Sequence, residues 1–488
     1  MIDLAVRPIE SVAPLLSTGE VSPVELVDSV LDAIERYEPA LRSFVSVFSD
    51  RAMADASAAA AEIRAGRYRG PLHGIPIAIK DSIAVAGSPT TNGSVLWKDH
   101  ITDFDAAVVE RLRRAGAIVI GKNNMHEWGM GGTCTGMHFG TVRNPWDLTR
   151  IPGGSSGGSA AAVSAGLATA AIGADGWGSI RTPASYCGVV GLMPTQGLVS
   201  RFGELPPTSS WQHTIGPITR TVGDAALVLD AVRGHDGRDP TSIRSEHAPP
   251  VVAQLDAGVD RMRIGVPRSY FFDDAIPSVR DAVSSAASVF EDLGAHVSEV
   301  DVPSLAMLPL ALAASVHEAQ SVLLPLALEH PAGFASQTVR YRILANEFVR
   351  AADQRRALQV RNLIRREVLE LFERVDLVLT PCNSTVAFAV DADLVPIGEG
   401  EESVDLASLF GQSRLTTRLT LPWNLSGVPA ISLPSGAYVD GMPIGIQIAA
   451  GPLRESTLLA AARAYEGAAG GYRTPPLIAP STNKGVSS

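Results

Sequence analysis

A chain of 488 residues, 46% apolar and 19% charged, carries enough apolar material for a sizeable buried core and excludes bulk disorder. Its 40 Lys and Arg stand against 51 Asp and Glu, and a net charge of −11 argues against a surface for gripping phosphate backbones, which needs clustered positive charge. The three cysteines, Cys134, Cys187 and Cys382, include no Cys-x-x-Cys pair, so neither a disulfide framework nor a cysteine zinc site is expected.

The chain opens MIDLAVRPIESVAPLL, with Asp3 and no sustained apolar core, and no secretory leader is read there. Residues 1–65 read as a helical segment packed on the core. Ser22-Pro23-Val24-Glu25 is a capping box with Pro at the first helical position, opening an amphipathic run through Val27, Val30 and Ile34. An Ala-rich helix follows from Asp50 to Gly66. GIPIAIK is then a short apolar strand, DAAVVERLRRAG a helix stopped by Gly116, and AIVIG the next strand. Ile151 to Ala174 is 24 residues without a charge, long enough to span a bilayer. Its Gly, Ser and Ala content instead predicts a flexible loop running into a small-residue helix inside a protein core, and the expected location is cytoplasmic, with no membrane partner.

The helix-then-strand grammar recurs. SVRDAVSSAASVFEDLG precedes AHVSEVDV, and VDLVLTP, PAISLP and PIGIQIAA lead to a last helix from Ser456. This alternation predicts an α/β architecture, a single large domain over 66–480 around a sheet buried on both faces. Residues 304–375 read as a helical cap on that sheet, and 481–488 as a loose tail.

Three segments carry chemistry. Lys80 ends GIPIAIK, where burial would lower its pKa enough for it to act as a base; a surface lysine at a strand end is the plain alternative. Gly154-Ser155-Ser156-Gly157-Gly158 matches the G-x-S-x-G nucleophile elbow, but RNPWDLTRIP before it is polar and broken by proline, where the elbow needs a hydrophobic strand. Ser179 follows Gly176-Trp177-Gly178, a turn whose backbone N–H groups could converge on one anionic oxygen. His126-Glu127 lacks the second histidine of a zinc protease, the ten histidines show no ligand spacing, and no GxxxxGK[ST] occurs. No metal or other cofactor is expected.

In this order, GIPIAIKD, GKNNMHEWGMGG with FGTVRNPWD, PGGSSGGSAAAVSAG, GSIRTPASYCGVVGL, VDLVLTP, LPWNLSGVPAISLPSG and GMPIGIQIAAG resemble the amidase signature family of serine hydrolases over nearly the whole chain. The resemblance implies one α/β domain with a central mixed sheet surrounded by helices. It implies a Ser–cis-Ser–Lys triad of Ser179 as nucleophile, Ser155 as bridging serine in a cis peptide, and Lys80 as base. It places the amides of Gly176, Trp177, Gly178 and Ser179 in an oxyanion hole, and Met130 beside the substrate. Trp177 and Met193 depart from the family's D-T-G-G-S and G-L-K-P-T patterns, while Asp175 and Arg181 are read as bracing the turn.

The function so implied is a stand-alone amidohydrolase acting through an acyl-enzyme on a small-molecule amide or related acyl compound, with no nucleic-acid partner; a homodimer is compatible with the resemblance. The alternative is the glutamine-hydrolysing component of a tRNA-dependent amidotransferase, whose glutamine-handling members carry an acidic residue where this chain has Thr417. A non-catalytic member is the third possibility, although Lys80, Ser155 and Ser179 are all present.

Overall fold

Short runs of β-branched and small residues build one mixed sheet of 11 strands in the computed structural model, which describes residues 2–206, 212–244, 249–315, 319–408 and 410–479. The tail expected at 481–488 lies outside the described residues. In chain order the strands are β1 (Phe44–Val47), β2 (Pro76–Lys80), β3 (Ile118–Asn123), β4 (Ala170–Asp175), β5 (Val190–Met193) and β6 (Thr214–Thr219). They continue with β7 (Arg263–Pro267), β8 (His296–Val300), β9 (Leu377–Pro381), β10 (Ala430–Val439) and β11 (Met442–Ala450). Across the sheet the order is β1-β3-β2-β4-β6-β5-β10-β11-β9-β7-β8. The pairs β3/β2, β2/β4, β9/β7 and β7/β8 are parallel, and the other neighbours are antiparallel. Central strands β2, β3, β4 and β6 are buried along their whole length, on runs of mostly apolar and small residues that end, in β2, β3 and β4, in the buried polar side chains of Lys80, Lys122-Asn123 and Asp175.

The capping box forms: the Ser22 hydroxyl accepts from Val24 N–H, and Glu25 accepts from Ser22 N–H at 2.8 Å, opening the helix Pro23–Leu41. The N-terminal segment is not helical throughout, because FVSV is β1, an edge strand paired antiparallel with β3. Glu38 takes the amides of Ser43 and Phe44 at 3.0 and 2.8 Å, while Arg42 turns left-handed at φ 54°, so the helix ends and the chain re-enters as a strand. The runs PAISLP and PIGIQIAA prove to be one long hairpin. Its two loop residues, Asp440 and Gly441, have φ of 50° and 75°, both positive as a type I′ turn requires.

The segment between β8 and β9 is mainly helical, with Gln320–Glu329, Gln337–Asn346 and Ala351–Arg374 its main helices. The first two pack with Trp128 and Phe334 in a small separate core, while the third packs against Trp423 and Leu425. Among the described residues, no helix is long and apolar enough to cross a membrane. The uncharged run after Ile151 is a buried helix, Gly157–Ser164, followed by β4.

Candidate active site

Strands β2 and β4 lie side by side and parallel, with Ile77 opposite Ala170 and Ile79 opposite Ile172. Their carboxyl ends therefore open at one edge of the sheet, where ligands bind in open α/β folds. The apolar run of β2 carries Lys80 to that edge and leaves it only 2% exposed. Its Nζ donates to Ser155 Oγ at 2.7 Å and to the Ala174 carbonyl at 3.1 Å. Burial lowers the Lys80 pKa to about 8, against the opposing pull of Glu204, Cys134 and Asp175. The surface alternative for Lys80 is excluded.

Ser155 sits in the loop between Ile151 and the helix Gly157–Ser164, and the Gly154–Ser155 peptide is cis. Its carbonyl accepts from His126 N–H at 3.0 Å, and Ser156 N–H donates to the Ser179 carbonyl at 3.2 Å, so three loops are tied together. Gly158 lets this helix approach β3: a Cβ there would fall 2.3 Å from the Asn124 carbonyl and 2.5 Å from that of Ser43.

The turn after β4 is organised by Asp175. This buried carboxylate accepts from Gly178 N–H at 2.6 Å and Ile180 N–H at 3.2 Å. It also pairs with Arg181, whose guanidinium reaches Gln447 and Asn424 at 2.7 and 2.6 Å. Burial pushes the Asp175 pKa up, but Arg181 and these donors prevail and hold it near 2. The Gly178 amide is thus committed to Asp175, which corrects the four-amide donor turn expected from sequence: the carboxylate that braces the turn consumes that N–H. The N–H groups of Gly176, Trp177 and Ser179 make no hydrogen bond to the described residues. Gly178 has φ 108°, and a Cβ on it would lie 2.1 Å from Thr420 Oγ1.

Ser179, Gly176, Trp177 and Met130 all line one cleft of about 1220 Å³. Trp177 is half-buried, its indole packed partly against the cluster of Leu421 and Trp423 and partly bordering the cleft, so the core and cleft placements are not exclusive. The Met130 carbonyl accepts from Arg342 at 3.1 Å, which fixes this arginine from the helical segment over the cleft. Farther out, Arg414 and Arg418 pair with Asp273 and Asp274 at 2.9–3.1 Å. Thr417 also lines the cleft, its hydroxyl donating to the Ser413 carbonyl at 2.8 Å.

Two cleft features were not legible beforehand: Arg342, and His213 backed by Glu204 at 3.1 Å. The signal for His213 is a histidine directly before the buried strand β6, but its position beside Gly176 depends on the antiparallel register with β4. His126 has a structural place: its Nδ1 accepts from Cys134 N–H at 3.1 Å, and burial lowers its pKa to about 3. Among the described residues, no cluster of three metal-ligating side chains occurs.

The amidase family model matches residues 25–459, and the chain belongs to this family, the amidase signature enzymes. A solved structure described as a vestigial protein complex bearing on the origins of an s-triazine catabolic enzyme superposes at TM-score 0.89, with 31% identity over 96% of this chain and all of that one. A bacterial aryl acylamidase of the amidase signature family superposes at TM-score 0.85, with 29% identity over 95% of this chain and 96% of that one. A relative from Desulforudis audaxviator, 39% identical over 95% of this chain and 96% of its own, is named as one component, the first-lettered, of Glutamyl-tRNA(Gln) amidotransferase. That likeness overturns the expectation of a small-molecule substrate alone with no nucleic acid. Net charge was a poor guide there, because it averages over the whole chain and says nothing of partner proteins.

Proposed function

We propose that the chain is a serine amidase working as the amide-hydrolysing component of an amidotransferase, with the side-chain carboxamide of glutamine as its substrate. The observation that carries the chemistry is the 2.7 Å contact from Lys80 Nζ to Ser155 Oγ beside a turn with three uncommitted amides. A serine hydroxyl needs a base within reach to become a nucleophile. With its pKa drawn down to about 8, Lys80 holds a useful neutral fraction near neutral pH.

Neutral Lys80 takes the Ser155 hydroxyl proton as Ser155 takes that of Ser179. Ser179 Oγ bonds to the carbonyl carbon, and the developing oxyanion accepts from the amides of Gly176, Trp177 and Ser179. Proton return through Ser155 lets the carbon–nitrogen bond break and nitrogen leave as ammonia. Water then attacks the acyl-enzyme through the same relay, releasing the carboxylate and restoring Ser179.

The amidotransferase reading is supported by full-length likeness to relatives bearing that name. One observation favours a second reading, hydrolysis of an amide without an ammonium group: Thr417 brings no carboxylate to the cleft. The test is fluorophosphonate labelling together with ammonia release from L-glutamine and aniline release from acyl anilides, using wild type and Ser179→Ala. The proposal expects labelling and glutamine turnover that vanish together in Ser179→Ala. Turnover of anilides without glutamine would select the second reading, and an unlabelled, inactive wild type would defeat both.

A further inference from the structure

The cleft contains a polar group that the relay does not use. Strand β4 has two neighbours, β2 on one flank and β6 on the other. The β2 flank brings Lys80 and, bonded to it, Ser155, the groups that return a proton to the leaving nitrogen. The β6 flank brings His213. In the antiparallel register Asp175 lies opposite Thr214, so the residue before Thr214 meets the residue after Asp175. The contact is close: a Cβ on Gly176 would fall 2.3 Å from His213 Nε2 and 2.4 Å from its Cδ2.

The ring's other edge is held. Its Nδ1 lies 3.1 Å from Oε1 of Glu204, a buried residue whose backbone bridges to Ile83 just beyond β2. Burial raises the pKa of this carboxylate, but the hydrogen bond from His213 and the charges of Arg201 and Lys80 hold it below the ordinary value. An ionised carboxylate accepts and does not donate, so the proton of neutral His213 is on Nδ1 and Nε2 carries a lone pair. Nε2 makes no hydrogen bond to the described residues, and the side chain is 22% exposed to the cleft.

We propose that the Glu204–His213 pair is a specificity element, in which His213 Nε2 accepts a hydrogen bond from an N–H or ammonium group on the acyl portion of the substrate. The acyl portion is assigned because the leaving nitrogen must face Ser155, on the opposite flank of the turn. The pair bears a net negative charge when His213 is neutral, so an ammonium is favoured over a neutral N–H. It thereby supplies the acceptor for an amino-acid amide that Thr417 does not. This inference rests on the amidase reading above.

The experiment holds the leaving group constant and varies the acyl donor. The value of kcat/KM is measured for γ-glutamyl- against glutaryl-p-nitroanilide, and for alanyl- against propionyl-p-nitroanilide, with wild type, His213→Phe and His213→Gln. Fluorophosphonate labelling and thermal melts report on the nucleophile and the fold. Wild type should prefer the amino-bearing member of each pair. His213→Phe should lower that preference about tenfold, the scale of one hydrogen bond to a charged group, and His213→Gln, which keeps an acceptor oxygen, should restore part of it. A merely structural role would lower both members of a pair by the same factor, and that result overturns the proposal. So does a labelled wild type that prefers the donor-free acyl groups or cleaves none of the amino-bearing ones. A wild type that does not label at Ser179 would instead refute the amidase reading itself.

Discussion

Asp175 and Arg181 hold each other through two contacts of 3.0 Å, Nε to Oδ2 and Nη2 to Oδ1, with both side chains wholly buried. The same carboxylate receives Gly178 N–H, so the ion pair sets the path of the turn that presents Ser179. It is also bonded by Asn424, and Arg181 by Gln447, which joins the turn to the distant half of the sheet. Removing one partner of a buried pair leaves an uncompensated charge, at a cost of about 3–5 kcal/mol. Arg181→Met should therefore lower the stability read by urea denaturation by that amount and lose turnover as well. A loss below about 1 kcal/mol would mean that the pair does not organise the turn.

Lys80 is the group whose ionisation should shape the pH profile. Burial has lowered its pKa to about 8 from the ordinary lysine value, so it is protonated and unable to accept below that pH, and neutral above it. The value of kcat/KM should rise with pH and level off above about 8, and Lys80→Met should lose about 10²–10⁴-fold. A flat profile between pH 6 and 9 would exclude a lysine base of this pKa.

Gly178 combines a φ of 108° with contact against Thr420, so Gly178→Ala is strained in both backbone and space. Displacement of the turn by the order of an ångström should reduce kcat by about a hundredfold while the protein stays folded. The check is kcat beside a thermal melt; full activity in a folded variant would show that the turn tolerates a side chain.

Position 177 keeps its backbone N–H in any substitution except proline, whereas the Trp177 indole forms part of the cleft wall. Trp177→Gly should therefore change the ranking of substrates more than the overall rate. Over amides graded in acyl size, bulky groups should gain relative to small ones, or aryl groups should lose a stacking partner. A uniform factor across the series would make the indole a structural filler.

What was legible from sequence is what depends on near neighbours in the chain. The apolar run ending at Lys80, the glycines around Ser155 and before Ser179, and the capping box at Ser22 each impose local geometry, and the structure holds the segments of Lys80, Ser155 and Ser179 together at the carboxyl ends of β2 and β4. The resemblance of several motifs in order then indicated the family, which residues 25–459 match. Only the tertiary structure decided which strand lies beside which. FVSV is too short to declare itself a strand, and β1 exists because β3 offers an edge to pair with. The commitment of the Gly178 amide to Asp175 follows from a fold-wide set of partners for one carboxylate, and four flexible-looking residues do not reveal it. His213 meets Gly176 because two antiparallel strands share a register, and side-chain position in a sheet is set by pairing, which no local run of residues encodes.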